Sequence, residues 1–241
     1  MTVKWLPSYA PVDEEFDNVS LLLHGDGTNG STTIVDSSSS PKTVTAFGDA
    51  QISTVISDPF GNTTGVIAFD GNGDYLTISS SSALSFGSGD YTIEFWIRWT
   101  ALPAAQGIIF GGPNNSLQIY YTSTLFFGSV ANSVVVSNKV VGDFFIPWTP
   151  SLAVWYHFAL TKASGSARLF IDGSQVGDTK ASAINYTGEN NFIGGDPGLV
   201  WYVNANIDDL RITKGVARYT QNFTPPTAPF PDLSPTTRLT A

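Results

Sequence analysis

The sequence predicts an all-β fold, a two-sheet antiparallel β-sandwich, and three observations carry that prediction. Charged residues make up only 13% of the chain while 42% are hydrophobic and 13% aromatic, a balance that nearly excludes long amphipathic helices with a charged face. Short β-type runs alternate with the turn dipeptides Asp26-Gly27, Asn29-Gly30, Asp70-Gly71, Asn72-Gly73 and Asp172-Gly173, which supply the positive φ that tight antiparallel connections need. One run has strict two-residue periodicity: Tyr91, Ile93, Phe95, Ile97 and Trp99 fall on one face, and Thr92, Glu94, Trp96 and Arg98 on the other. The first set is expected in the core.

Taken in order, residues 1–17 carry Pro7, Pro11 and the acidic run Asp13-Glu14-Glu15, which read as an extended arm. Such an arm either ties a subunit to its neighbour or packs on its own domain. Strands are expected at 19–24, 66–69, 75–78, 91–100, 118–121, 133–136, 155–161, 168–171 and 207–212. Sixteen Phe and six Trp suit the thick space between stacked sheets. The serine run at 37–40 is a low-complexity loop. Pro225, Pro226, Pro229, Pro231 and Pro235 make the stretch from 223 an extended strap. With 241 residues the sandwich needs no second domain: the domain spans 18–231, strap included, and 232–241 form a tail.

Twenty acidic against eleven basic residues give a net charge of −9, so nucleic acid is not an expected partner. The absence of cysteine removes disulfides, thiolate metal sites and thiol nucleophiles. No apolar run is long enough for a membrane span or signal peptide; the expectation is a chain made in a cytoplasm. His24 and His157 are the two histidines, no Gly-x-Ser-x-Gly elbow occurs, and both imidazoles are expected to be structural.

Several phrases together resemble the laminin-G-like, concanavalin-A-like jelly-roll superfamily. They are Ser20-Leu21-Leu22-Leu23-His24-Gly25-Asp26, Ala68-Phe69-Asp70-Gly71-Asn72-Gly73-Asp74-Tyr75-Leu76, Asp90-Tyr91-Thr92-Ile93-Glu94-Phe95-Trp96-Ile97-Arg98, Trp155-Tyr156-His157-Phe158-Ala159-Leu160, Leu169-Phe170-Ile171-Asp172-Gly173 and Ile207-Asp208-Asp209-Leu210-Arg211-Ile212. The ending Thr213-Lys214-Gly215-Val216-Ala217-Arg218-Tyr219 with Phe223-Thr224-Pro225-Pro226 is similar to that of copies in bacteriophage virion and tail proteins. The resemblance implies a virion location, a capsid decoration or tail/fibre component, and contacts to other virion subunits through arm and strap. A homo-oligomer follows, with a trimer as the working symmetry. It also implies a structural Ca2+, for which Asp26, Asp36, Asp208 and Asp209 are the matching oxygen ligands; a turn Asp or an Asp paired with Arg211 is the alternative. Strand alternation would put Asp208 and Asp209 on opposite faces.

For binding host-surface glycans, the face carrying Glu94, Trp96 and Arg98 offers an aromatic platform beside polar groups. Tyr120, Tyr121, Trp148, Trp201 and Tyr202 are further candidates, against the alternative of buried structural aromatics. Glucanases of the superfamily place paired acids on one strand, and a glycosidase needs two carboxyls about 5 to 9.5 Å apart. Here Glu94-Phe95-Trp96-Ile97-Arg98 brings no second acid. The chain is therefore expected not to be an enzyme, with a free-standing lectin and a divergent glycanase, its acids converging from separate strands, as the alternatives.

Overall fold

The computed structural model describes residues 11–111, 117–124, 131–137, 142–182, 185–186 and 191–235. Residues 1–10 of the expected arm and 236–241 of the expected tail lie outside them. In chain order the strands are β1 (Val19–Leu23), β2 (Val44–Phe47), β3 (Gln51–Ser53), β4 (Val66–Asp70), β5 (Tyr75–Ile78), β6 (Tyr91–Ala101), β7 (Gln106–Gly111), β8 (Gln118–Thr122) and β9 (Ser133–Ser137). There follow β10 (Gly142–Pro147), β11 (Trp155–Ala163), β12 (Ser166–Ile171), β13 (Ser174–Ala181), β14 (Asn191–Ile193), β15 (Gly195–Asp196), β16 (Trp201–Tyr202) and β17 (Asn204–Lys214).

They form two antiparallel sheets. One runs β13-β12-β11-β6-β17-β4-β3, with β1 added beside β17; the other runs β10-β9-β8-β7-β14-β5-β2, and β15 and β16 make a small separate ribbon. The core lies between the sheets. Tyr91, Ile93, Phe95, Ile97 and Trp99 are at most 1% exposed, as their spacing predicts, and meet Leu76, Ile119, Tyr121 and Val136 of the facing sheet in one cluster. Asp172-Gly173 joins β12 to β13 with φ of 49° and 73°, the all-positive geometry of a two-residue hairpin.

The chain ends fold back on their own domain. A one-turn 3-10 helix (Phe16–Asn18) sets Phe16 against Val19, Leu22 and Phe230 in a second apolar cluster, so β1 is buried on both sides. The Asp13 backbone N–H donates to the Leu233 carbonyl at 2.9 Å, and the strap is stitched down where the Phe223 N–H donates to the Gly173 carbonyl at 2.9 Å. A Cβ on Gly173 would run into the Phe223 carbonyl, so the turn is glycine for contact as well as for φ. Asp13 and Phe16 thus pack on their own domain.

Candidate functional site

β6 presents Glu94, Trp96 and Arg98 away from the core, and Tyr219 and Phe223 roof the part of that face around Glu94 and His157. Glu94 is fully buried. Its Oε1 accepts from Arg211 Nη2 and Nε at 2.8 and 3.0 Å, its Oε2 accepts from the Tyr219 hydroxyl at 2.8 Å, and His157 Nε2 lies 3.5 Å away. Burial opposes its charge, yet Arg211, His157 and Arg218 outweigh burial and hold its carboxyl down at about 2. Trp96 is flanked edge-on by His157 and Phe60, with centroids 5.1 and 5.9 Å away. Arg98 reaches Asn206 at 3.4 Å. Glu94 is therefore held in a structural network, with Tyr219 and Phe223 stacked at 3.6 Å over His157 and Phe170, while Trp96 and Arg98 stay partly exposed beside it.

Tyr120 and Tyr121 are buried. Tyr120 supports Trp201 from beneath, at 5.9 Å between centroids, while Tyr121 faces the inter-sheet core. Trp148 is half-buried, edge-on to Tyr156 at 5.1 Å. Of the expected aromatics, Trp201 and Tyr202 line a cleft at one end of the sandwich with a volume of about 390 Å³.

Three connections build this cleft: Asp70 and Gly71 from the β4–β5 turn, residues 101–106 between β6 and β7, and Val200, Trp201, Tyr202 and Asn204 around β16. Asp70 is exposed, with Oδ1 accepting from the Asn72 N–H at 2.7 Å. Gln106 is oriented by donating to the Thr122 and Thr124 hydroxyls at 3.3 and 3.0 Å. Val200 holds φ at 58° and is 72% exposed; a β-branched residue in the left-handed region is strained. Sequence reasoning missed Asp70, Gln106 and Asn204. Asp70 was legible only as a turn residue, and nothing local brings three separate connections to one point.

The four aspartates have different partners. Asp36 is saturated, its Oδ1 accepting from the Leu22 and Ser38 N–H groups at 3.0 Å each and its Oδ2 from the Lys42 N–H at 2.7 Å. Asp209 is held by His24 Nδ1 at 2.5 Å and by the Phe230 N–H at 2.8 Å, and Asp209 with burial's opposition overcome raises the His24 pKa. Asp26 is exposed. Asp208 is 3% exposed with Oδ1 unpartnered, and Gly25 packs so closely that a Cβ there would lie 2.8 Å from that oxygen. Among the described residues no three His, Asp or Glu side chains are placed to hold a metal. Opposite-face alternation also fails here: Ile207 and Leu210 both face the core, and a bulge between Asp208 and Arg211, with Asp209 at φ 45°, absorbs the extra residue.

Residues 70–218 match the family described as the concanavalin A-like lectin/glucanases superfamily. The chain belongs to that superfamily. No curated protein matches it in sequence. Among solved structures, this superfamily member is similar to domain 4 of AbnA, a GH43 extracellular arabinanase from Geobacillus stearothermophilus in complex with arabinotriose, at 17% identity and TM-score 0.59, over 83% of this chain and 95% of that one. It is also similar to the binding domain of Paraclostridial Mosquitocidal Protein 1, at 16% identity and TM-score 0.61, over 87% and 50%. The binding domain of Botulinum Neurotoxin DC in complex with SialylT gives 17% identity and TM-score 0.56, over 83% and 49%. The chain spans about half the length of the toxin binding domains. At these identities the likeness is one of fold.

Proposed function

We propose that the chain is a non-catalytic carbohydrate-recognition sandwich, carried on a bacteriophage virion as a capsid decoration or tail component, that holds host-surface glycans in the Trp201–Tyr202 cleft. The observation that carries this reading is the convergence there of two partly exposed aromatics with Asp70, Gln106 and Asn204. Ring faces take the CH face of a sugar while the amides and carboxylate exchange hydrogen bonds with its hydroxyls. Solved relatives in complex with arabinotriose and SialylT support a carbohydrate ligand, and the ending from Thr213 to Pro226 supports the virion setting.

The non-catalytic reading rests on the carboxylates. Both Glu94 oxygens are occupied, Asp70 is the one acid lining the cleft among the described residues, and glycoside hydrolysis requires two. For calcium the proposal narrows to Asp208, whose Oδ1 is unpartnered and whose charge is opposed by those of Asp26 and Asp58. Calcium that raises the melting temperature of the chelated wild type and not of Asp208→Asn supports that ligand, and an unchanged melting temperature removes it.

Glycan-array screening followed by calorimetry on wild type and Trp201→Ala tests the cleft. Binding that disappears in Trp201→Ala with the melting temperature retained is the expected result. Undiminished binding in that variant, or turnover of the bound glycan, overturns the proposal.

A further inference from the structure

The cleft does not end at Tyr202. Its ring stacks against Tyr75 at 6.4 Å and 26°, and Tyr75 meets Phe192 edge-on at 6.1 Å. Phe192 in turn lines a second hollow of about 320 Å³, walled by the hydroxyl side chains of Thr43, Thr45, Thr77 and Ser79. β5 makes the connection. Leu76 and Ile78 are buried in the core, so alternation turns Tyr75, Thr77 and then Ser79 to the opposite face, where Thr45 stands beside Thr77 in register. Four residue steps from Tyr75 to Ser79 span about 13 Å, longer than one hexose ring. Phe47, 40% exposed and stacked on Tyr75 at 4.6 Å, edges the same strip.

The charge along this path is as informative as its shape. No Lys, Arg or His lines either hollow among the described residues; the one fixed charge is Asp70, on a chain of net charge −9. A carboxylate or sulfate on a bound sugar would find no partner there and would be repelled by Asp70. An uncharged sugar finds the rings of Trp201, Tyr202 and Phe192 for its CH groups and hydroxyls that both donate and accept.

We infer that the two hollows and the Tyr75–Phe192 pair between them form one groove for a linear, uncharged oligosaccharide, gripped over several sugars along β5 rather than by a terminal residue alone. The inference rests on the reading that the Trp201–Tyr202 cleft binds carbohydrate, and it names the class of carbohydrate.

Calorimetry with neutral gluco-, xylo- and arabino-oligosaccharides from monomer to hexamer, and with a sialylated trisaccharide, tests it. At least one neutral series should tighten about five- to tenfold from dimer to hexamer, the range expected of one added aromatic contact, and the sialylated sugar should not bind. Phe192→Ala should abolish the gain with length and leave dimer affinity unchanged. Thr45→Arg, at an exposed position, should do the same by filling the second hollow without touching the core. Affinity independent of length, a gain that survives both variants, or preference for the sialylated sugar overturns the groove and leaves the cleft standing. Absence of binding by any of these sugars to wild type takes down both.

Discussion

Asp208 and Glu94 are buried carboxylates on neighbouring strands, and what faces each one decides its behaviour. Glu94 stands across from Arg211 in the β6–β17 register and is held at about 2. Its lowered pKa contributes stability that is complete above its ordinary value of ~4.3 and fades as pH falls from there toward 2. Glu94→Gln leaves Arg211 buried without that charge, and denaturant unfolding at neutral pH should show a loss of about 3 kcal/mol or more, shrinking as pH approaches 2. Asp208 is the reverse case. Burial first, then the charges of Asp209, Asp58 and Asp26, push it up to about 9. The folded state keeps a proton that the unfolded chain releases near pH ~4, so the wild type loses stability as pH rises from about 4 to about 9 and is level beyond. In chelator, Asp208→Asn should therefore gain on the wild type across that window, read as melting temperature against pH. A variant that is equally or more destabilised throughout would show that the carboxylate is ionised and paired.

Among the elements, the strap does the least of a ladder's work and the most of a lid's. Phe230 is 5% exposed, its ring 3.6 Å beneath the Arg211 guanidinium, and its N–H is bound by Asp209. Phe230→Ala should cost about 3 kcal/mol, at the lower edge of core aromatic truncations, and limited proteolysis should then cut within 216–230. Cleavage unchanged from wild type would mean that Tyr219 and Phe223 hold the strap unaided. Gly173→Ala should loosen the same segment by strain at its φ of 73° and by collision with the Phe223 carbonyl. β6 was the most legible strand in the sequence because its core face recurs at every second residue from Tyr91 to Trp99. β2 and β13 were not legible, being edge strands half or more exposed on which no apolar alternation is imposed; β3, β7, β10 and β14 were missed as well, β7 and β14 although they lie inside their sheet. The face of Glu94, Trp96 and Arg98 was legible as a face, but not the burial of Glu94, since its partners Arg211 and Tyr219 come from more than a hundred positions away. Trp201 and Tyr202 were found as aromatics in a loop, whereas Asp70, Gln106 and Asn204 join them only through the sandwich topology.

At the scale of the whole molecule, one carboxylate closes the chain upon itself. Asp13 accepts from Arg211 Nη1 at 2.9 Å and from Arg218 Nη1 and Nη2 at 3.0 and 2.8 Å, so the N-terminal segment, β17 and the segment that leads from it into the strap meet at a single buried junction. The linear pattern leaves residues 1–17 either an arm that ties a neighbouring subunit or a tail packed on its own domain, and the junction ties Asp13 to its own sandwich. The two roles separate by experiment. Deleting residues 1–17, or substituting Asp13→Ala in the full chain, leaves Arg211 and Arg218 short of a buried partner, and each change should destabilise by about 3–5 kcal/mol. Because both changes remove the same interaction, the deletion should cost little more than the point substitution apart from the packing of Phe16, and the two should be far from additive with Arg218→Ala. Light scattering on the same samples reads the other role. An oligomer that dissociates on deletion but not on Asp13→Ala assigns intersubunit contact to residues of the 1–17 segment other than Asp13, while a deletion that shifts assembly without lowering the unfolding midpoint would show that the Asp13 junction does not hold the sandwich together.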